Sequence, residues 1–235
     1  GQCQNGTCRR LFGENVGDRT LRGVLRHRFE HARASAGDDR TAVDKALEDG
    51  QTFQQFKKDL KPTLQKKGWW GEIIVVDKEG VAEKVQLGSN YRLKTIYRVN
   101  MQTSYQTGRY QSQIENTDNR PYWEYVAVMD SSTRPEHAML NGLVLRYDDP
   151  FWKAFYPPNG WNCRCRVNAL SEHNISTKNL SIDNSDGKLS EEYRLVSKKT
   201  GELKSVSVYT DPLTGKKIAP DVGWSHNPAS GLSDE

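Results

Sequence analysis

Between Asn90 and Ile114 the chain reads NYRLKTIYRVNMQTSYQTGRYQSQI, with Leu93, Ile96, Tyr97, Asn100, Met101, Ser104 and Tyr105 recurring at helical spacing. That spacing predicts one long helix with a single broad buried face. Several groups on that face are polar or phenolic, so whatever packs against the helix must also supply hydrogen-bond partners. The fold is therefore a helix laid on other elements rather than a free-standing rod.

The flanking segments supply those elements. An Arg-rich stretch, LRGVLRHRFEHARASAG, places Leu21, Val24, Leu25 and Phe29 at helical spacing, its arginines forming a solvated face. From Asp38 a second helical pattern begins on an acidic cap, carries Val43 and Leu47, and stops at Gly50. A third starts on Thr52 as N-cap, turns Phe53, Phe56, Leu60 and Leu64 inward and ends at Gly68, with Pro62 expected to kink or split it. Ile73–Val76 and Val81–Leu87 flank a turn over Asp77–Gly80 and read as a β-hairpin.

Beyond the long helix, YWEYVAVMD alternates as a strand ending at Asp130, Pro135–Leu140 is a short helical turn stopped by Gly142, and a strand runs from Cys163 to Ala169. Gly-centred hairpins are expected at Lys198–Leu203 and in TDPLTGKK. The predicted class is α+β, with a helical N-terminal region and one long central helix packed on a small, mostly antiparallel sheet. Three segments follow: residues 1–37, basic and helical; a core domain over 38–175; and a polar C-terminal hairpin extension over 176–235.

Composition narrows the function. Hydrophobic residues make up 35% and charged residues 27% of the 235-residue chain, so much of its surface is committed to water or to partners. No apolar run approaches the roughly 20 residues of a membrane-spanning helix, and no membrane partner is expected. Residues 1–70 hold 14 Lys and Arg against 9 Asp and Glu, a basic front able to lean on nucleic-acid phosphates or on an acidic protein. Walker A, Gly-x-Ser-x-Gly and His-Glu-x-x-His patterns are absent, which argues against the common ATP-driven, serine-hydrolase and zinc-protease classes.

Three groups of residues can carry chemistry. In MDSSTRPEHAML, Asp130, Arg134, Glu136 and His137 fall within eight residues. A catalytic reading makes His137 a general acid or base on nucleic acid, Arg134 a phosphate clamp and Asp130 the group that orients the imidazole. The structural reading has Asp130 capping the turn after its strand, Arg134 paired with it, and His137 on the first turn of a short helix.

The second group is Cys163 and Cys165, in YPPNGWNCRCRV. Residues two apart on a strand share a face, so with His137, and a fourth ligand such as His173, they can hold zinc. A disulfide between them would be strained, and two buried small thiols are the alternative. Cys3 and Cys8 form a second close pair, near the start of the sequence. The third group, Trp123, Trp152, Phe155, Tyr156 and Trp161, reads either as a base-stacking platform or as core, with Trp161 pinning a proline-stiffened loop over the long helix.

Taken in order, TFQQFKKDLKPTLQKKGWWG, RLKTIYRVNMQTSYQTGRY, RPYWEYVAVMDSSTRPEHAMLNGLVL, DDPFWKAFYPPNGWNCRCRV and DVGWSHNP resemble the phage Mu F-like head-morphogenesis family, also called minor head or minor capsid proteins. The joint presence of Arg-Pro-x-His-x-x-Leu-x-Gly and Pro-Pro-Asn-Gly-Trp-x-Cys-x-Cys carries the resemblance, which spans about residues 40–228. It implies a structural protein without turnover, carried in few copies in the virion head and assembled in the bacterial host cytoplasm. Its implied partners are the portal or major capsid protein, with non-specific phosphate contacts to packaged DNA, and its implied roles are head assembly, DNA packaging or DNA delivery. The alternatives are a nucleic-acid-acting enzyme or toxin-like domain built on His137, Arg134 and Asp130, and a zinc-stabilised nucleic-acid-binding module built on Cys163, Cys165 and His137. Family members also occur fused to toxin-like or ADP-ribosyltransferase-like modules; no such added module is visible in this sequence.

Overall fold

The computed structural model describes residues 31–76, 82–197 and 201–230. The helical pattern over Leu21–Phe29, the Cys3/Cys8 pair and the turn Asp77–Gly80 lie outside the described residues. The chain forms two compact units, residues 1–101 and 102–235.

The first unit contains α1 (His31–Glu48), α2 (Phe53–Lys66), the hairpin of β1 (Glu72–Val76) and β2 (Ala82–Gln86), and the first half of α3 (Asn90–Ile114). The α1 helix starts seven residues earlier than the acidic cap expected at Asp38, because HARASAG is rich in strong helix formers and carries the helix backwards. Thr52 caps α2 as expected. Its hydroxyl accepts from the Gln55 N–H at 3.4 Å while the Gln55 side chain accepts from the Thr52 N–H at 2.8 Å. Pro62 does not split α2, which runs unbroken from Phe53 to Lys66. The proline faces solvent, and Leu60 and Leu64 on either side of it are buried, each worth about 1.5–3 kcal/mol, which offsets one lost backbone bond. These leucines join Val43, Ala46, Phe56, Trp69, Leu87, Leu93 and Ile96 in one cluster, and the Tyr97 hydroxyl donates to the Gln51 carbonyl at 2.6 Å.

The second unit is built on three antiparallel strands in the order β4–β3–β5: β3 (Tyr122–Val126), β4 (Val144–Arg146) and β5 (Arg166–Leu170). Trp123 pairs with Leu145 on one side and Ala169 on the other. Trp123 and Tyr125 are buried and their neighbours half-buried, the period-two pattern of a strand with one face on a core. Both strands are shorter than expected. The first ends at Val126 rather than Asp130, and the second begins at Arg166, so Cys163 and Cys165 lie in the loop that feeds it.

The second half of α3 lies on this sheet. Gln106 Nε2 donates to the Cys165 carbonyl and Gln113 Nε2 to the Val167 carbonyl, both at 2.9 Å, and Gln113 Oε1 accepts from the Tyr156 hydroxyl at 2.8 Å. These bonds supply the partners that the helix's polar face demands. The expected face needs one correction: Tyr105 is 58% exposed, and Gln106, Tyr110 and Gln113 face the core instead, because 3.6-residue periodicity rotates the stripe over seven turns.

Short helices α4 (Pro135–Met139), α5 (Trp152–Phe155) and α6 (Glu172–Lys178) connect and flank the strands. Residues beyond α6 form a second sheet in the order β6–β7–β8, from β6 (Leu189–Ser197), β7 (Glu202–Thr210) and β8 (Lys217–Ile218), with Gly201 and Gly215 at positive φ in its two turns. Tyr209 and Ile218 from this sheet join Trp123, Tyr125, Phe151, Trp152, Phe155 and Tyr156 in the core. The molecule is thus α+β, with every described strand pairing antiparallel.

Candidate metal centre

Arg134, in extended backbone with Pro135 behind it, starts α4 and places His137 on the helix's inward side. Opposite it, Asn162 adopts a left-handed conformation at φ 56, which Asn tolerates better than most residues, and turns the chain just before Cys163. The result is a buried cluster. His137 Nδ1 lies 3.5 Å from Cys165 Sγ and 3.7 Å from Cys163 Sγ, and His137, Cys165 and Cys163 are 6%, 2% and 6% exposed respectively. All three ligating atoms lie within 4.8 Å of one another. His173, expected as a fourth ligand, is elsewhere: it sits exposed on α6 with Nε2 3.3 Å from the Thr177 hydroxyl.

Two residues absent from the sequence expectation complete the cluster. The Tyr125 hydroxyl is hydrogen-bonded to Cys165, and Asn159 Nδ2 donates to that hydroxyl and to the Phe155 carbonyl, each at 3.0 Å. The hydrogen bond from Cys163, then those from Tyr125 and the Val128 backbone, hold the Cys165 thiol down to about 7 against the opposing effect of burial. The same Cys163–Cys165 bond, with burial, pushes Cys163 well up. Burial and the neighbouring thiols raise the Tyr125 hydroxyl well above its usual range.

Around the cluster lie two ion pairs that differ from the expected one. Asp130 binds Arg164 through both carboxylate oxygens, at 2.7 and 2.6 Å, and also accepts from the Ser132 N–H at 3.0 Å, holding the turn after β3. Arg134 does not pair with Asp130. Its Nη1 lies 2.8 Å from Asp221 Oδ2 and its Nη2 donates to the Trp161 carbonyl at 3.1 Å. The longer-range partner wins because Gly160 lets the Asp221 segment approach the arginine closely, and Asp130 is already held by Arg164. Asp130, Arg134 and His137 are therefore engaged with three separate partners.

A cavity of about 180 Å³ adjoins the cluster, lined by His137, both cysteines, Ser132, Thr133 and Arg134 among others. The aromatic set divides. Trp123, Trp152, Phe155 and Tyr156 are buried core residues in edge-to-face contacts, with Trp123 5.6 Å from Trp152 and 5.7 Å from Tyr156. Trp161 is only half-buried and packs edge-on against Trp224 at 5.4 Å.

The family model described as Phage Mu protein F like protein matches residues 39–168, and the chain belongs to that family. It is 49% identical over 195 residues to protein F of Escherichia phage Mu, which is named for capsid assembly, covering 81% of this chain and 44% of that protein. It is 42% identical over 193 residues to the Mu-like prophage FluMu F protein of Haemophilus influenzae, covering 81% of this chain and 46% of that one. The chain spans less than half the length of these curated relatives. No solved structure matches it.

Proposed function

We propose that this chain is a structural component of a tailed-phage head that acts in head morphogenesis rather than in turnover. The observation that carries the reading is the extended similarity to phage Mu protein F, over four fifths of this chain. The site supports it. The groups that would make an acid–base centre on nucleic acid, Asp130, Arg134 and His137, are tied to Arg164, Asp221 and the two cysteines, which braces a corner of the fold.

The finer reading places the protein in the virion head, beside the portal or on the capsid interior, with portal or major capsid subunits as partners and packaged DNA as a non-specific contact. Two features favour the DNA contact. The first 70 residues are basic, and a groove of about 760 Å³ alongside the second half of α3 is lined by Arg109, Arg120 and Lys178 with no carboxylate. Among the described residues no helix is long and apolar enough to cross a membrane.

The test is to interrupt the gene in a phage or prophage that carries it, and to fractionate complemented particles into heads and tails. Loss of infectious heads, with the protein recovered in the head fraction of complemented particles, is the expected result. Normal, infectious heads made in its absence would overturn the proposal.

A further inference from the structure

We propose that His137 Nδ1, Cys163 Sγ and Cys165 Sγ bind one Zn²⁺ ion, with solvent from the adjoining cavity completing a tetrahedron. The geometry is already that of a zinc corner. With Zn–S at about 2.3 Å and Zn–N at about 2.05 Å, a tetrahedral angle separates nitrogen from sulfur by about 3.6 Å. The two observed separations, 3.5 and 3.7 Å, bracket that value.

A hydrogen-bonded imidazole does not account for this arrangement equally well. Nδ1 offers one in-plane proton or one lone pair, so it can bond one sulfur well and not two at once. A single ion between the three atoms satisfies them all. Charge balances too: two thiolates and a neutral imidazole around Zn²⁺ leave no net charge, so the cluster can be buried without a stranded ion. Thiolate and imidazole donors suit zinc and other borderline or soft metals, and disfavour magnesium and calcium.

The surroundings match a metal-bound thiolate. The Tyr125 hydroxyl and the Val128 backbone N–H both bond to Cys165, and Asn159 in turn fixes the Tyr125 hydroxyl. Hydrogen bonds of this kind orient ligands and tune the metal in characterised sites. Arg164, between the cysteines, is anchored on Asp130, so it holds the loop without occupying the ligand face. His137 and Cys163 are 26 residues apart, so the ion would close a loop between α4 and the segment leading into β5 and couple metal binding to folding. The fourth corner meets the cavity, on which Ser132, Thr133 and Asn162 also border. Three protein ligands hold the ion at this corner of the fold, and solvent takes the remaining position.

The test uses the 235-residue chain purified under reducing conditions and dialysed into metal-free buffer. Elemental analysis should find about one Zn²⁺ per chain. Co²⁺ added to the chelator-stripped protein should give thiolate-to-metal charge-transfer absorption together with tetrahedral ligand-field bands. Cys163→Ser and Cys165→Ser should each weaken the charge-transfer band and release zinc, and His137→Asn should release zinc. Tyr125→Phe, which keeps all three ligands, should weaken metal affinity on the order of 10–100-fold. The cobalt titration of the unaltered chain needs no variant to fold. Zinc-free protein whose two buried thiols are reduced and give no cobalt–thiolate band would overturn the proposal, and so would a Cys163–Cys165 disulfide in freshly isolated protein.

Discussion

Arg134 and Asp221, 87 residues apart in sequence, meet at 2.8 Å beside the backbone of Gly160. A methyl group on Gly160 would run into both partners. Gly160→Ala is expected to push the tips of these two flexible side chains apart and to destabilise the protein by about what the ion pair contributes, on the order of 0.5–1 kcal/mol. The ion pair alone, with both side chains partly exposed, should show a coupling on the order of 0.5–1 kcal/mol in an Arg134→Ala, Asp221→Ala double-mutant cycle. Urea denaturation of the four variants checks both numbers, and that coupling should vanish when the cycle is repeated on the Gly160→Ala background.

The Arg164 guanidinium, as hydrogen-bond partner, and the Ser132 N–H hold the Asp130 carboxyl well below the usual carboxylate range. A lowered folded-state value means that the unfolded chain takes up the proton first. The stabilisation is complete above the unfolded value of about 3.9 and is lost as pH falls from there towards the folded value. Arg164→Gln should therefore lower the melting temperature at neutral pH and flatten its dependence on pH below about 4. Thermal melts of both proteins from neutral pH into acid test this, and parallel curves would contradict it.

The two tryptophans Trp123 and Trp161 should behave differently. Trp123 is fully buried at the centre of the aromatic core, and Trp123→Ala should cost about 3–5 kcal/mol. Trp161 is half-buried against Trp224, and Trp161→Ala should cost about 1–2 kcal/mol, chiefly the edge-to-face contact and part of its buried area. Equal losses in chemical denaturation would show that the Trp161 loop is packed more deeply than its exposure indicates.

If the basic groove beside α3 takes DNA backbone, binding should weaken steeply with salt and depend little on sequence. Replacing Arg120 with Gln and Lys178 with Ala should lower the slope of log K against log salt by about 1 for each phosphate no longer neutralised. Fluorescence anisotropy on a random-sequence duplex over a salt series measures it. A salt-independent interaction would point to a protein partner for this surface.

Periodicity in the sequence located α2, α3, the β1–β2 hairpin and the buried face of β3, because Phe56, Leu60 and Leu64, or Trp123 and Tyr125, repeat at the spacing their element imposes, whereas the three-residue strand β4 is too short to show a period. It also put His137, Cys163 and Cys165 forward together, since a residue pair two apart and an imidazole on a nearby short helix are local signals. What sequence alone did not resolve depends on long-range approach. Nothing near Arg134 indicates that its partner is Asp221 rather than Asp130, and Asn159 and Tyr125 look like ordinary loop and strand residues until the fold brings them beside the thiols. The drift of the buried face along α3, which exposes Tyr105 and buries Gln106, follows from helix geometry over a length where small angular errors accumulate. His173 failed as a ligand for the opposite reason: it is near in sequence and carried outward on α6.

The strands beyond α6 have a consequence for inheritance. Tyr209 and Ile218 fill the same interior as Trp123, and Asp221 closes on Arg134, although the family match ends at residue 168. A genetic crossover between two members of this family just after Leu170 would unite one parent's family-matched segment with the other's C-terminal strands, which have to fit it. Viable chimaeras should have their junctions outside the second unit, so that both parts of this interior come from the same parent.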